Sequence, residues 1–146
     1  MDGTAALELA GSTISGNVAD LWGGGALLNG PSAVFQDARI QSNSAGRNGG
    51  GISAVGNTTI TNSQGTDNTA VHGGGITMDA MVTIINSTVS RNSASGVGGG
   101  IAAFGGLTTL SGTVVAENTA EDGGGINVNG GAVTLTDGSV TGNSAT

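Results

Sequence analysis

The sequence predicts an all-β fold, a solenoid of the parallel β-helix type with about six coils of about 25 residues and three short strands per coil. Glycine triplets recur every 24 to 26 residues, and an asparagine recurs in the same register. The residues between them form short runs that alternate apolar and polar, the period of two that is typical of strands. Helical repeats would show a 3.6-residue apolar pattern and few glycines. The pattern therefore favours stacked coils of strands.

The composition bounds what such a chain can bind. Its formal net charge of −7 repels nucleic acid and anionic membrane surfaces. The absence of cysteine excludes a disulfide framework and a cysteine-ligated zinc site. With two Phe, one Trp and no Tyr, the core must be thin and lined by small aliphatic side chains. We expect no nucleic-acid partner, no direct membrane insertion by this segment, and no metal or other cofactor.

The glycine triplets are predicted to form the corners of the coils. A tight corner repeated in every coil brings backbone close to backbone, and glycine permits both positive φ and this close approach. The corner residues are Gly23, Gly24, Gly25, Gly49, Gly50, Gly51, Gly73, Gly74, Gly75, Gly98, Gly99, Gly100, Gly123, Gly124 and Gly125. They divide a single β-helix segment, residues 1–146, into coils at roughly 1–22, 23–48, 49–72, 73–97, 98–122 and 123–146.

One asparagine in each coil is predicted to form a hydrogen-bonded ladder along the rod, because its amide can both donate to and accept from the asparagines of adjacent coils. Asparagine also tolerates the left-handed conformation, so we place it at a second bend. An alanine always follows two residues later and is interpreted as an inward site with room only for a methyl group. The ladder residues are Asn17, Asn43, Asn68, Asn92, Asn118 and Asn143.

The last coil shows the three predicted strands most clearly. They are INV at 126–128, AVTLT at 132–136 and SVTGN at 139–143, with Ile126 and Val133 among the residues pointing inward. A large apolar residue stands eight positions before every ladder asparagine. That column consists of Leu9, Phe35, Ile60, Ile84, Leu110 and Leu135.

The repeated phrases also carry a family resemblance. The chain has GGGI at 49–52, 73–76, 98–101 and 123–126, and hydrophobic-x-x-Asn phrases such as IQSN at 40–43 and VAEN at 115–118. Together they resemble the paired GGAI and FxxN repeats of chlamydial-type polymorphic membrane proteins and related bacterial surface proteins with pectin-lyase-like β-helices. The resemblance implies a right-handed coil and an adhesive passenger of the autotransporter type. It further implies an extracellular or outer-membrane location. Because neither end resembles the polar cap that solenoids need, we expect the segment to be a fragment of a longer solenoid, with export signal and anchor outside it.

The main functional hypothesis is therefore a non-catalytic adhesive or structural segment of a secreted or surface-exposed bacterial protein. Host-cell or cell-surface glycans or proteins are the expected partners, and uncapped ends would allow end-to-end self-association. One alternative is a carbohydrate-active pectin-lyase-like β-helix whose catalytic turns lie outside this segment. A catalytic site within this segment would need clustered acids, but Asp37 and Asp137, which share a column, stand four coils apart. The other alternative is an ice-binding face formed by Thr59, Thr83, Thr109 and Thr134.

One column, directly before the ladder asparagine, carries charge. Arg91 there is predicted to stand between Asp67 and Glu117 in adjacent coils. Such a trio is either a remnant of acid–base machinery or an ion-pair ladder that fixes register. We favour the ladder, because the two carboxylates neutralise the arginine, and we predict no catalytic residues.

Two residues at corresponding corner positions complete the candidates. His72 is the only histidine and is interpreted as a solvated corner residue, since no second histidine exists to form a metal site. Trp22, in LWGGG, is either a partly exposed cover over the first corner or a platform on which a sugar ring stacks.

Overall fold

The computed structural model describes residues 6–146, which form 23 short strands and no helix. Each strand pairs in parallel with the equivalent strand of the next coil, so four sheets run along the rod. The prediction of an all-β parallel solenoid of about six coils is confirmed. Residues 6–146 accordingly contain no helix long and apolar enough to cross a bilayer.

The strands fall into four sheets, numbered in the order in which the chain enters them. The first sheet contains β1 (Ala6–Ala10), β5 (Ser32–Gln36), β9 (Asn57–Thr61), β13 (Val82–Ile85), β17 (Leu107–Ser111) and β21 (Ala132–Thr136). The second contains β2 (Thr13–Ser15), β6 (Arg39–Gln41), β10 (Gln64–Thr66), β14 (Thr88–Ser90), β18 (Val114–Ala116) and β22 (Ser139–Thr141). The third contains β3 (Val18–Ala19), β7 (Ser44–Ala45), β11 (Thr69–Ala70), β15 (Ser93–Ala94), β19 (Thr119–Ala120) and β23 (Ser144–Ala145). The fourth contains β4 (Ala26–Leu28), β8 (Ile52–Ala54), β12 (Ile76–Met78), β16 (Ile101–Ala103) and β20 (Ile126–Val128).

The prediction of three strands per coil is wrong, because a full coil contains four. The strand that the sequence missed belongs to the third sheet and is two residues long, as in β7 and β15. Two residues cannot display an alternation with a period of two, so the pattern gives no signal there. The strand follows the ladder asparagine and includes the invariant alanine, which is buried in β7, β15 and β19.

The core is one continuous cluster of apolar side chains inside the coils. In the first sheet Phe35, Ile60, Ile84 and Leu110 stand in direct register in successive coils, and each is at most 3% exposed. Leu135 has the same register but lies in β21, the outermost strand of the sheet, and is 37% exposed because one of its sides is not covered by a further strand. Contacts between coils therefore supply the burial, so each coil depends on its neighbours.

The asparagine ladder is continuous through all six coils. In the first five coils the backbone N–H and the side-chain Nδ2 of the ladder asparagine donate to the Oδ1 of the asparagine in the next coil, at 2.9–3.0 Å. Nδ2 also donates to a backbone carbonyl, as from Asn68 to Ile40 at 2.9 Å. Asn43, Asn68, Asn92 and Asn118 are almost fully buried. Because the backbone N–H and the side-chain amide of these buried asparagines are both hydrogen-bonded, the ladder offsets the free-energy cost of burying them.

The left-handed bend lies one residue before the ladder asparagine, so the expectation that the asparagine itself takes this conformation is wrong. Residues with φ of 53–67° occupy the preceding column: Gly16, Ser42, Asp67, Arg91, Glu117 and Gly142. A second bend, between the first and second sheets, has φ of 47–57° at Gly11, Asp37, Asn62, Asn86, Gly112 and Asp137. Asn, Asp and Gly tolerate this region best, which accounts for Asp37 and Asp137 without a functional role.

The three glycines of each corner are required for different reasons. The first has φ of 58–67°, which disfavours any side chain. A Cβ on the second, as at Gly99, would collide with the carbonyl oxygens of Gly124 and Thr119. A Cβ on the third, as at Gly100, would lie 2.9 Å from Nδ2 of the ladder residue Asn118. The triplet and the asparagine recur together because the ladder amides occupy the space beside the third glycine.

Candidate functional site

The charged column forms one ion pair in the described chain. Nε and Nη2 of Arg91 donate to Oδ1 and Oδ2 of Asp67 at 3.0 and 3.1 Å, a two-point contact on the solvent-exposed surface. The hydrogen bond from Arg91 holds the pKa of the Asp67 carboxyl below its usual range, against a smaller opposing effect of burial. The same bond raises the pKa of Arg91, and Glu117 adds only a weak attraction. The column therefore works as a pair rather than as a trio.

The threonine face lies on the outer surface of the first sheet. Thr59, Thr83, Thr109 and Thr134 pair in direct register from coil to coil. The next outward column, two residues on, is less uniform and consists of Thr61, Ile85, Ser111 and Thr136. The face is thus a regular array of hydroxyl and methyl groups interrupted in its second column.

The outer face of the fourth sheet is bordered by two rows of residues that flank its strands, and we call the strip between these rows the groove. Its floor is the outward residue of each strand, namely Leu27, Ser53, Thr77, Ala102 and Asn127. One wall is the residue that precedes each glycine triplet, namely Trp22, Asn48, His72, Val97 and Asp122, partly joined by isolated bridges. The opposite wall is the residue that follows each strand, namely Asn29, Val55, Asp79, Phe104 and Asn129.

Near the start of the chain the groove contains a cavity of about 370 Å³ that is open to solvent and lined by residues of the first four coils. This volume lies in the range of about 300–1,000 Å³ that is typical of small-molecule sites. The lining residues combine an aromatic face, amides, a hydroxyl and one charge of each sign. They are Trp22, Asn29, Arg47, Asn48, Ser53, Val55 and Asp79. Such a cavity can stack a flat apolar surface and exchange several hydrogen bonds with one occupant.

Trp22 and His72 both belong to a wall of this groove, but they differ in environment. The Trp22 side chain is 46% exposed and lines the cavity. The interpretation of His72 as a simply solvated residue is wrong, because its ring packs edge-on against Phe104 with centroids 5.8 Å apart. Its Nδ1 is buried and has no hydrogen-bond partner, like Oδ1 of Asn48 in the same column. The ring is held by packing rather than by hydration.

The acids are scattered along the rod. Within residues 6–146 the structure contains no group of three or more His, Asp or Glu side chains placed to share a metal ion. Asp79 is the single carboxylate in the cavity, and Arg47 is the single cation. This arrangement is suited to hydrogen-bonding a polar ligand at both donor and acceptor groups.

Comparison with known proteins gives one match. The model of the family described as right handed beta helix region matches residues 1–146. No curated protein and no solved structure matches the sequence at a significant level.

Proposed function

The chain belongs to the right-handed β-helix family, and from that premise we propose that it is a non-catalytic adhesive segment that binds glycans in the groove. Its setting is the surface of a bacterial cell or the medium around it. The observation that supports this proposal is the cavity beside Trp22, where an exposed indole face adjoins Arg47, Asn48 and Asp79.

The chemistry of the cavity suits a sugar ring. The apolar face of a pyranose stacks on an indole, and its hydroxyls act as both donors and acceptors toward guanidinium, amide and carboxylate groups. A rigid β-helix presents these groups with little loss of backbone entropy on binding, which favours recognition. The net charge of −7 makes neutral glycans better ligands than strongly acidic ones.

Trp22 also makes the proposal directly testable. It is the only tryptophan in the chain, so intrinsic fluorescence reports on the cavity alone. The purified chain is titrated with cello-, chito- and galacturono-oligosaccharides. We expect a saturable change in intensity and wavelength for at least one series, and no change with any series would contradict the proposal.

Calorimetry with variants locates the binding site. Trp22→Ala should weaken binding by about tenfold or more, because buried aromatic contacts dominate recognition energies. Leu21→Ala is the matched control, since Leu21 is an exposed neighbour that does not line the cavity. Equal losses in both variants would point to a site elsewhere.

A carbohydrate-active β-helix is the alternative that shares this groove. If the chain were an enzyme of this kind, the bound oligosaccharide would be shortened or would gain a double bond. Mass spectrometry of the titration mixture detects both changes. Recovery of intact ligand after long incubation supports the adhesive role. Release of oligosaccharide fragments by the purified protein would show that it is an enzyme and not an adhesive segment.

Ice binding is a second candidate because Thr59, Thr83, Thr109 and Thr134 stand in unbroken register about 4.8 Å apart on one flat sheet. Thermal hysteresis of the purified chain tests it. A freezing-point gap that disappears in Thr83→Lys, with the fold retained, would support this candidate. A flat response would remove it.

A further inference from the structure

The groove is crossed by a pair of side chains from its two walls. His72 belongs to the wall before the glycine triplets, and Phe104 belongs to the wall after the strands of the fourth sheet, one coil further on. Their rings meet edge to face, with centroids 5.8 Å apart and planes at 80°. We call this contact the His72–Phe104 bracket. Aromatic edge-to-face pairs of this geometry are mutually attractive, so the bracket is a stable closure.

The floor beneath the bracket is closed to solvent. Thr77 and Ala102, the floor residues of the two bracketed coils, are 0% exposed, and Ser53, the floor residue that lines the cavity, is 3% exposed. The cavity beside Trp22 extends to Asp79, and neither His72 nor Phe104 lines it. The bracket therefore stands just past the end of the cavity.

Packing behind the bracket fixes its position. Gly96 lies against the histidine ring, and a Cβ added there would stand 3.0 Å from both Cε1 and Nδ1 of His72. The imidazole ring of His72 therefore fits between Gly96 and Phe104, and the backbone at Gly96 prevents it from moving away from Phe104 on that side. A side chain at position 96 would push the ring and alter the closure.

We infer that the groove binds the terminus of a glycan chain rather than an internal stretch, an inference that rests on the proposed glycan binding. An occupant stacked on Trp22 and running along the rod meets the bracket within two coils, so its last sugar must end there. A continuous polymer would have to pass through the space filled by His72 and Phe104. The ligand class is therefore a chain end or the tip of a branch.

End-blocked oligosaccharides test the inference. The oligosaccharide series that changes Trp22 fluorescence is prepared with a bulky aromatic amide at its reducing end and, separately, with a bulky ether at its non-reducing end. One of the two blocked forms should bind about tenfold more weakly or worse, because that terminus abuts the bracket. Unchanged binding of both forms would overturn the inference.

Variants that remove the bracket make the test specific. Phe104→Ala should restore binding of the excluded blocked form to within about threefold of the free oligosaccharide. His72→Ala is a second way to open the same closure, should Phe104→Ala fail to fold by circular dichroism. Continued exclusion in a folded, opened variant would overturn the role of the bracket.

The two proposals fail differently. If no oligosaccharide changes the fluorescence or heat of the wild-type chain, glycan binding itself is wrong and end recognition falls with it. If the unblocked series binds and both blocked forms bind equally well, glycan binding stands and only end recognition is lost.

Discussion

Gly65 leaves a gap in the core that a larger side chain should fill. It lies in β10 between Ile40 and Val89 of the adjacent coils, in a column that is otherwise aliphatic. A Cβ built on Gly65 meets nothing within 4 Å, and its φ is not positive. The adjoining cavity measures about 10 Å³ and is lined largely by aliphatic side chains. A void of this size loses dispersion contacts without offering water several polar partners.

The magnitude of the gain follows from the geometry. Gly65→Ala removes the entropic penalty of glycine in a strand, about 0.5–1 kcal/mol, and buries one methyl group worth about 0.8 kcal/mol. The expected stabilisation is therefore about 1.5 kcal/mol. Gly65→Val buries two further carbons and has an upper limit of about 3 kcal/mol, reduced if the neighbours must shift.

Urea unfolding followed by circular dichroism at equal m-values measures both variants. Gly75→Ala is the matched control, because Gly75 borders the same cavity but its Cβ would stand 2.6 Å from the carbonyl oxygen of Gly100. We expect the control to destabilise while both Gly65 variants stabilise. If Gly65→Ala and Gly65→Val both leave the midpoint unchanged or lower it, the space beside Gly65 is not an empty apolar void.

Three further perturbations test the packing and the ion pair. Ile84→Asp should cost on the order of 4 kcal/mol or more, because it places a carboxylate in the apolar core; unchanged thermal melting would show that residue 84 does not face inward. Gly99→Val should cost several kcal/mol, on the order of 3 or more, because its Cβ would collide with the carbonyl oxygen of Gly124; native-like urea unfolding would refute a close approach there. Arg91→Ala should lower stability slightly in low salt and less in high salt, where the pair with Asp67 is screened, whereas Arg91→Gly should recover stability by relieving a φ of 53°. The folded-state pKa of Asp67 is lowered, so the stability that the pair contributes is present above the ordinary Asp pKa and is lost as pH falls through the lower folded-state value. If wild type and Arg91→Ala lose stability in parallel in an acid titration, the pair does not contribute to stability.

The stacking of coils could be predicted from the sequence because every coil repeats the same physical requirement. A ladder asparagine such as Asn68 must match its neighbours above and below, and a corner glycine such as Gly99 must leave room for the next backbone. Each requirement recurs every 24 to 26 residues and becomes visible as a column. The two-residue strands of the third sheet and the position of the left-handed bend could not be assigned in this way. A strand of two residues has no period, and the bend column accepts residues as different as Gly16 and Arg91.

The groove escaped prediction for the opposite reason. The residue types that line it change from coil to coil, so the wall that contains Asn29 and Val55 shows no shared residue type that registration of the repeat would reveal. Only Trp22 gave a signal, as a rare residue type beside a corner. The contact between His72 and Phe104 joins different coils and opposite walls, and nothing in a linear repeat indicates that two such positions face each other.

Stacked coils also make the length of the groove a stepwise quantity. Every strand of the fourth sheet adds one strand spacing, about 4.8 Å, to the distance between Trp22 and the bracket. Residues 49–72 form one 24-residue unit. Insertion of a second copy of this unit, with His72 replaced in the copy, would move the bracket one step further from Trp22. The asparagine ladder would continue through the inserted coil. The proposed glycan site could therefore be lengthened only by whole increments, and gain or loss of a coil would change how many sugars fit between Trp22 and the bracket.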